Sequence, residues 1–310
     1  MTTPSNAVPG FPADSQVIAS STPSLARPMY WSLRRELWEN RSIYIAPLMV
    51  AGLFLLGFTI SAFRLPARMR AAQALPLMQQ HRLIEWPYNF ASLLIMGTTF
   101  VVALFYCLET LHGERRDRSI LFWKSLPVSD LTTVLAKASI PLVILPLLTL
   151  AITVVTQSLM LLISTAVLEA SGQGTATLRA HFSLFQMSLM LLYHLVGIHA
   201  LWYAPIYGWL LLVSGWARRA AVLWAALPLL AIGFVEKIAF NTSYFAGALK
   251  YRLLGGPEGV PFASGNMPMD PTMVLSPAKF LATPGLWTGL ALAAVFLGAA
   301  ASLRRYRGPI

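Results

Sequence analysis

Six long apolar runs, separated by polar or basic segments, constrain the fold of this chain more than any other feature. They span residues 43–63, 89–111, 134–163, 182–213, 220–240 and 284–303. A helix needs about 20 residues to cross a hydrocarbon core of about 30 Å, and every run is long enough to do so. Because backbone amides find no water inside a bilayer, such a run is expected to be helical. The sequence therefore predicts an all-α polytopic membrane protein with six transmembrane helices.

The composition agrees with this prediction and leaves no room for an additional soluble catalytic domain. Of the 310 residues, 56% are hydrophobic and 11% are charged, whereas about 25% are charged in soluble domains. The net charge of +11 does not indicate a nucleic-acid partner, because the basic residues cluster at the ends of apolar runs. The single cysteine, Cys107, excludes an internal disulfide.

The N-terminal region precedes the first run and has two parts. Residues 1–28 are rich in Pro, Ser and Thr, so we expect a disordered cytosolic tail. Residues 29–41 predict an amphipathic helix in the membrane interface. One side of its helical wheel is apolar and consists of Tyr30, Trp31, Leu33, Leu37 and Trp38. The other side is charged and consists of Arg35, Glu36 and Glu39. Arg34 falls within the apolar arc, from which its guanidinium can reach water.

The segment between the second and third runs, residues 112–131, combines charges with bulky apolar side chains. It contains Glu-Arg-Arg-Asp at 114–117, the apolar run 120–123, and Pro-Val-Ser-Asp at 127–130. Four bulky apolar residues in succession are costly in water, at about 25 cal/mol per Å² of apolar area. We therefore expect them to contact a partner surface, with the neighbouring charges orienting that partner. The alternative is that these aromatics lie in the lipid interface as a belt.

This segment resembles the first cytoplasmic loop of ABC type-2 exporter permeases, where a short coupling helix docks on a separate ATP-hydrolysing subunit. An amphipathic helix followed by six spans is similar to the layout of the same family. The resemblance implies a permease subunit that binds no cofactor itself, with ATP and Mg on the partner ATPase. It also implies a second permease protomer, identical or related. The implied ATPase interface is Tyr30, Arg34, Arg35, Trp38, Glu114, Arg115, Arg116, Asp117, Phe122, Trp123, Lys124, Leu126 and Pro127.

The distribution of basic residues predicts the orientation. Clusters at 115–118, 218–219 and 304–307 place both termini and the segment 112–131 in the cytosol. The resemblance implies that the membrane is a bacterial inner membrane. Segments 64–88, 164–181 and 241–283 then lie outside. The first of these carries four arginines and argues against this orientation. The third and fourth runs exceed the length of one span, and Pro141, Pro146 and Pro205 offer sites for kinks.

The remaining polar residues give weaker signals. No Gly-Lys dipeptide occurs, so the chain has no phosphate-binding loop. His194 and His199 are five residues apart and share no helical face, so we interpret them as polar residues of a helix bundle. A translocation path is a hypothesis for Trp202, Tyr203, Tyr207, Glu236 and Lys237. Packing for the aromatics and an interfacial or paired role for Glu236 and Lys237 are the alternatives.

Two other function classes compete with the exporter hypothesis. An ion-coupled secondary transporter would need an ionisable site at the membrane midplane, and only Glu236 and Lys237 approach one. A membrane-embedded enzyme would need a convergent set of catalytic residues, and the sequence contains no recognised catalytic motif.

Overall fold

The computed structural model describes residues 26–125, 128–174, 183–255 and 277–308. Every regular element in these ranges is a helix, as predicted. The predicted tail up to residue 25, Leu126, Pro127 and most of the segment 241–283 lie outside the described residues.

Thirteen α-helices are numbered here in chain order along the described residues. They are α1 (Ala26–Glu39), α2 (Ser42–Ala62), α3 (Leu65–Gln73), α4 (Leu77–Arg116), α5 (Ile120–Lys124), α6 (Asp130–Ser139), α7 (Leu145–Ala170), α8 (Leu184–His194), α9 (Ala204–Trp216), α10 (Ala221–Phe240), α11 (Tyr244–Lys250), α12 (Pro277–Leu281) and α13 (Pro284–Tyr306). Three π-helical segments join some of them: Ile140–Ile144, Leu195–Trp202 and Tyr251–Gly255.

Six helices in the described part of the chain are long and apolar enough to cross a membrane, and each overlaps one predicted run. They are Ser42–Ala62, Leu83–Arg116, Asp130–Ala170, Leu184–Trp202, Ala221–Phe240 and Pro284–Tyr306. The prediction of an all-α polytopic membrane protein is confirmed. The short helix α9 continues the fourth apolar run beyond Trp202.

The two apolar runs that exceed one span each contain a π-helical segment. Pro141 lies inside the first segment, Pro146 lies just after it, and Pro205 lies just after the second. Proline donates no backbone hydrogen bond and crowds the preceding turn, so the regular α-helical pattern is interrupted there. All three predicted kink sites therefore coincide with a change of helix type.

The predicted loop 64–88 is largely helical, which corrects the sequence-based interpretation. It forms α3 and the first part of α4, which has 40 residues rather than the 23 of the predicted run. Pro66 occupies the first turn of α3, where proline is tolerated. Met69 and Ala72 are buried, so this basic segment packs on the bundle through a small apolar face.

The spans alternate in direction, so their ends gather at two poles. Ser214 of α9 accepts hydrogen bonds from the backbone N–H groups of Leu111 and His112 on α4, at 3.1 and 2.9 Å. Arg115 of α4 donates to the carbonyl of Gly308, which follows α13. The ends of α4, α9 and α13 therefore meet at one pole, which we call the charged end. The opposite end holds α3, the start of α4, and α11.

Helix α9 lies at the centre of the largest apolar cluster. Its buried residues Tyr207 and Leu211 pack in one cluster with Cys107 of α4 and Leu286 of α13. Gly208 lets α9 approach α13 closely, because a Cβ there would lie 3.3 Å from the carbonyl oxygen of Ala293. Small residues permit such close contacts between helices in membranes.

Hydrogen bonds between side chains connect α4 and α7 along their lengths. Thr149 donates to Thr99 at 2.9 Å, and Gln157 donates to Ser92 at 2.8 Å. A third contact joins the hydroxyls of Tyr88 and Ser164 at 3.1 Å. Each such bond contributes about 0.6 kcal/mol in a membrane protein, so together they fix the register of these two helices.

Candidate functional site

Glu36 of α1 is buried, and four side chains surround its carboxylate. Its Oε1 lies 2.7 Å from the Nζ of Lys137 and 2.8 Å from the Nη2 of Arg35. Its Oε2 accepts from the hydroxyls of Tyr106 at 2.8 Å and Thr110 at 3.3 Å. A buried carboxylate is tolerated when paired charges and hydrogen bonds replace its water. Glu36 meets that condition on both oxygens.

Glu114 of α4 forms the second centre of the same arrangement. Its Oε1 lies 2.8 Å from the Nη2 of Arg35 and 3.1 Å from the Nζ of Lys137. Arg304 donates to its other oxygen, and the Nε of Arg304 lies 3.1 Å from Asp130. The charge network is therefore Arg35, Glu36, Glu114, Asp130, Lys137 and Arg304. The formal charges of these three acids and three bases cancel, and the exposed Glu39 adds a further carboxylate 3.5 Å from the Nε of Arg35.

The charge network joins four helices at one pole of the bundle. Its members come from α1, the end of α4, both ends of α6 and the end of α13. Removing one partner of a buried ion pair typically costs about 3–5 kcal/mol, because the other charge is left uncompensated. The network therefore holds α1 against the bundle as one rigid unit.

The pKa values of the α1 residues follow from this geometry. Burial alone would raise the pKa of Glu36, but the Lys137 ammonium, Arg35 and the Tyr106 hydroxyl outweigh it. The pKa of Glu36 therefore lies below its ordinary value. Burial opposes the charged form of Arg35 as well, yet the carboxylates of Glu36, Glu39 and Glu114 raise its pKa. Both groups remain ionised at neutral pH.

Helix α1 turns Glu36, Leu33 and Leu37 into the protein, so its inward face combines residues from both sides of the predicted wheel. Its aromatic side is the open one, with Tyr30, Trp31 and Trp38 exposed by 58%, 59% and 70%. The guanidinium of Arg34 lies 5.4 and 5.3 Å from the rings of Trp31 and Trp38. Arg34 therefore makes cation–π contacts with the aromatic side.

Two of the four bulky residues at 120–123 face inward and two face outward. Ile120 is buried, and the ring of Trp123 lies 3.8 Å from the guanidinium carbon of Arg35. Leu121 and Phe122 are exposed by 59% and 60%. Trp123 therefore contacts α1 of its own chain, whereas Leu121 and Phe122 remain open to a partner or to lipid.

The basic residues of the segment 112–131 differ in their accessibility. Arg115 is buried and donates to the carbonyls of Gly215, Ala217 and Gly308, at 2.7, 3.3 and 3.2 Å. Cations are favourable beside the free carbonyls of a helix C-terminus. The expectation that Arg115 orients a partner from the surface is therefore wrong, and Glu114 is likewise enclosed in the charge network.

Lys124, Arg116 and Asp117 are exposed. Lys124 donates to the carbonyls of Arg305 and Arg307 beside the end of α13, at 3.3 and 3.2 Å. Arg116 pairs with Asp117 at 3.2 Å and with Glu109 at 2.9 Å. These three side chains and the exposed Arg118 are charges of this segment that an approaching partner can reach.

The aromatic residues assigned to a translocation path lie in the core. Trp202, Tyr203 and Tyr207 are all buried in the largest apolar cluster. The indole of Trp202 donates to the carbonyl of Arg252 at 3.0 Å, and Tyr203 donates to the carbonyl of Leu253 at 3.2 Å. Two of the three therefore hold the segment that follows α11 at the opposite end.

Arg252 fills a notch between α13 and the ring of Trp202. Its guanidinium carbon lies 4.2 Å from that ring, and its Nη1 donates to the carbonyl of Gly285 at 2.8 Å. A Cβ at Gly289 would stand 1.7 Å from its Nη2, so the notch depends on glycine at this position.

Glu236 stabilises the start of α11. Its carboxylate accepts hydrogen bonds from the backbone N–H groups of Tyr244 and Phe245, at 2.6 and 2.9 Å, and from the hydroxyl of Thr242 at 2.9 Å. This is a capping contact with a helix N-terminus. Lys237 beside it is exposed, so the geometry does not pair these two residues.

His199 agrees with the interpretation of a polar residue in a helix bundle. It is buried, and its ring lies 5.7 Å from that of Phe100 and 5.9 Å from that of Tyr203. Within the described ranges, no three His, Cys, Asp or Glu residues converge as a metal site would require.

The sequence-based reasoning missed several members of the charge network, although one signal was present. Lys137 lies within the third apolar run, and a charged residue inside a span indicates a partner or a function. Asp130 lies outside the apolar runs and gives no such signal, and Arg304 in the cluster 304–307 indicates only the orientation. Ser129 takes the cap position, because its hydroxyl accepts from the backbone N–H of Thr132 at 3.0 Å.

Comparison with known proteins identifies no relative. No family model, curated protein or solved structure matches the chain. The resemblance to ABC type-2 exporter permeases therefore remains a prediction from the residues quoted above. The structure supports the coarser conclusion that the chain is a multi-pass helical membrane protein.

Proposed function

We propose that this chain is the membrane-spanning permease subunit of an ABC exporter in a bacterial inner membrane. It would move a substrate outward by using ATP that a separate subunit hydrolyses. The observation that carries the proposal is the contact between α1 and α5 through Arg35. This residue stacks on Trp123 and pairs with Glu36 and Glu114. A displacement of α5 would therefore reach α1, α4, α6 and α13 together.

The docking surface for the ATPase would be the outer side of α5 at the charged end. Leu121 and Phe122 are its exposed apolar residues, and Arg116, Asp117 and Lys124 surround them. An aromatic anchor inside a polar rim is the usual composition of a protein interface. Cytosolic placement of this end follows from the clusters of arginine and belongs to the same proposal.

A second permease protomer would complete the transporter. Helix α10 offers a surface for it, because Ala221 and Ala225 are the only residues of this helix that are fully buried. Large apolar side chains cover the rest of the helix, including Leu230, Phe234 and Ile238. A span that packs so little within its own chain is suited to contact a second copy.

Ion-coupled transport has less support from the positions of the charges. The charge network lies at one pole and is internally balanced. Glu236 lies near the opposite pole, where it caps α11. Neither position is the midplane site that a coupling ion requires.

The test is reconstitution with a P-loop ATPase subunit, beginning with any that is encoded beside this gene. We expect the two proteins to purify as a complex and the complex to hydrolyse ATP, whereas this chain alone does not. Hydrolysis by this chain alone, or failure of the pair to associate in detergent and in lipid nanodiscs, would contradict the proposal. Transport driven by an ion gradient without any ATPase would favour the secondary-transporter hypothesis.

A further inference from the structure

A groove of about 870 Å³ opens between α2 and α4 toward the opposite end of the bundle. Helix α2 contributes Phe54 and Gly57, helix α4 contributes Trp86 and Phe90, and helix α3 contributes Arg68. Binding sites for small molecules typically have a volume of about 300–1,000 Å³, an apolar lining and a few polar groups. This groove has all three properties.

Aromatic rings and a glycine, which has no side chain, shape the apolar part of the groove. The rings of Trp86 and Phe90 stack at 5.0 Å with an interplanar angle of 8°, and Phe54 lies 6.0 Å from Phe90. A Cβ placed on Gly57 would meet nothing within 4 Å. The groove therefore contains open space next to α2, at a depth where the spanning segments are apolar.

Arg68 supplies a positive charge beside this apolar space. Its side chain is exposed on α3 and forms no ion pair or hydrogen bond with another described residue, whereas its backbone N–H donates to the carbonyl of Arg64 within the helix. Its neighbour along the helix, Arg70, does not line the groove and donates to the carbonyl of Pro66 at 3.4 Å. Of the arginines on this helix, Arg68 is therefore the one positioned to bind an anion at the groove.

We propose that the groove binds an anionic membrane lipid. One acyl chain would lie along Gly57 between Phe54 and Trp86, and the phosphate of the head group would contact Arg68. A groove on the outer surface of apolar spans faces the lipid of the membrane. Basic residues between spans select lipids with anionic head groups. The inference does not depend on the exporter hypothesis. It also gives a role to the basic segment that conflicts with the predicted orientation.

The head-group contact is tested by native mass spectrometry of protein equilibrated with equal amounts of phosphatidylglycerol and phosphatidylcholine. We expect Arg68→Gln to lower the retained phosphatidylglycerol about tenfold, which corresponds to one charge-assisted contact. Retained phosphatidylcholine should not change. Arg70→Gln removes the same charge from the same helix and should leave both lipids unchanged. Equal losses in the two variants, or a loss of both lipids in Arg68→Gln, would overturn the proposal.

The acyl-chain contact is tested by filling the groove. Gly57→Leu should lower retention of both lipids, because its side chain would occupy the open space. Gly52→Leu is the matched control, since Gly52 also meets nothing within 4 Å and does not line the groove. Gel filtration and helix content establish that both variants fold. Unchanged lipid retention in a folded Gly57→Leu protein would place the lipid elsewhere and refute the proposed site.

Discussion

The guanidinium carbon of Arg35 lies 3.8 Å from the centre of the Trp123 ring. This contact places the segment between the second and third spans directly against the N-terminal helix. The same guanidinium reaches Glu36 and Glu114 through its Nη2, at 2.8 Å in each case. Arg35 therefore connects an exposed surface helix to a buried charge network, and its loss should separate the two.

Trp123→Ala should weaken this connection within the chain. A desolvated cation–π contact is worth about 2 kcal/mol, so we expect a loss of stability of that order. Hydrogen exchange should become faster in α1 and α5, whereas the distant α10 should be unaffected. Trp123→Phe keeps an aromatic face and should lose less. Unchanged exchange in α1 after Trp123→Ala would show that the contact does not hold the helix.

Phe122→Ala should instead affect the partner, if the proposed ATPase docks on α5. A buried aromatic anchor costs at least about 2 kcal/mol when it is truncated, which is roughly thirtyfold in affinity. The stability of the chain should change little, because Phe122 is 60% exposed. Phe63→Ala is the control, since Phe63 is 79% exposed near the opposite end. Equal ATPase affinities of the two variants would argue for the lipid-belt alternative.

Arg115 and Arg116 are adjacent, but their substitutions should have different effects. Arg115→Ala removes the donor to three backbone carbonyls at the charged end. The buried carbonyl of Gly215 left without this donor costs about 1–3 kcal/mol, so thermal unfolding in detergent should occur at a clearly lower temperature. Arg116→Ala removes only an exposed ion pair, so its free energy of unfolding should stay within about 0.5 kcal/mol of that of the parent protein. Equal effects would mean that Arg115 does not hold the helix ends.

Gly289→Ala should expel Arg252 from its notch. The new Cβ would stand 1.7 Å from the Nη2 of Arg252, so the flexible guanidinium must leave Gly285 and Trp202. We expect the free energy of unfolding to fall by about 1–2 kcal/mol and the proteolysis of residues 244–255 to increase. Gly298→Ala on the same helix meets open space and serves as the control.

A double variant separates this mechanism from a general disturbance of α13. Once Arg252→Ala has emptied the notch, adding Gly289→Ala should cost little more, because the clash no longer exists. Additive losses in the double variant would show that Gly289 matters for another reason.

The spans could be predicted from sequence because apolar length is a local property. The inward side of α1 could not, because Glu36 of the predicted charged side and Leu33 and Leu37 of the predicted apolar side lie on it together. A charged side chain is stable either in water or beside opposite charges, and apart from the adjacent Arg35 the opposite charge that contacts Glu36 lies far along the chain. Lys137 lies 101 residues away, and Arg304 joins the same network through Glu114. Only the packing of α1, α4, α6 and α13 brings these residues together.

The same limitation applies to the segment 112–131. Its composition predicted a contact surface, and Leu121 and Phe122 are exposed as such a surface requires. The sequence did not distinguish them from Trp123, because a helix of five residues is too short to show a periodic pattern that would identify its buried side. Arg35 decides that orientation, and it belongs to another helix.

The charge network should make stability depend on pH in a defined direction. The pKa of Glu36 is lowered from its ordinary value of 4.5. The contribution of the ionised Glu36 to the stability of the fold is therefore complete above pH 4.5. It is lost as the pH falls below 4.5 and through the lower pKa of the folded state. We therefore expect the parent protein to lose stability in acid. Glu36→Gln should be less stable at neutral pH and should show a shallower acid-induced loss.

Lys137→Met tests the same network by removing its central cation. This change leaves Glu36 and Glu114 close together with less compensation, and we expect a loss of about 3–5 kcal/mol. Adding Glu36→Gln should restore part of that loss, because it removes one of the uncompensated charges. Lys124→Met is the control, since Lys124 is exposed and bonds only to carbonyls among the described residues. Thermal unfolding of these three variants and of Glu36→Gln alone, between pH 4 and pH 8, measures these effects. If Lys137→Met and the double variant proved equally unstable at every pH, the pairing of Lys137 with Glu36 would contribute nothing, and packing alone would hold α1 in place.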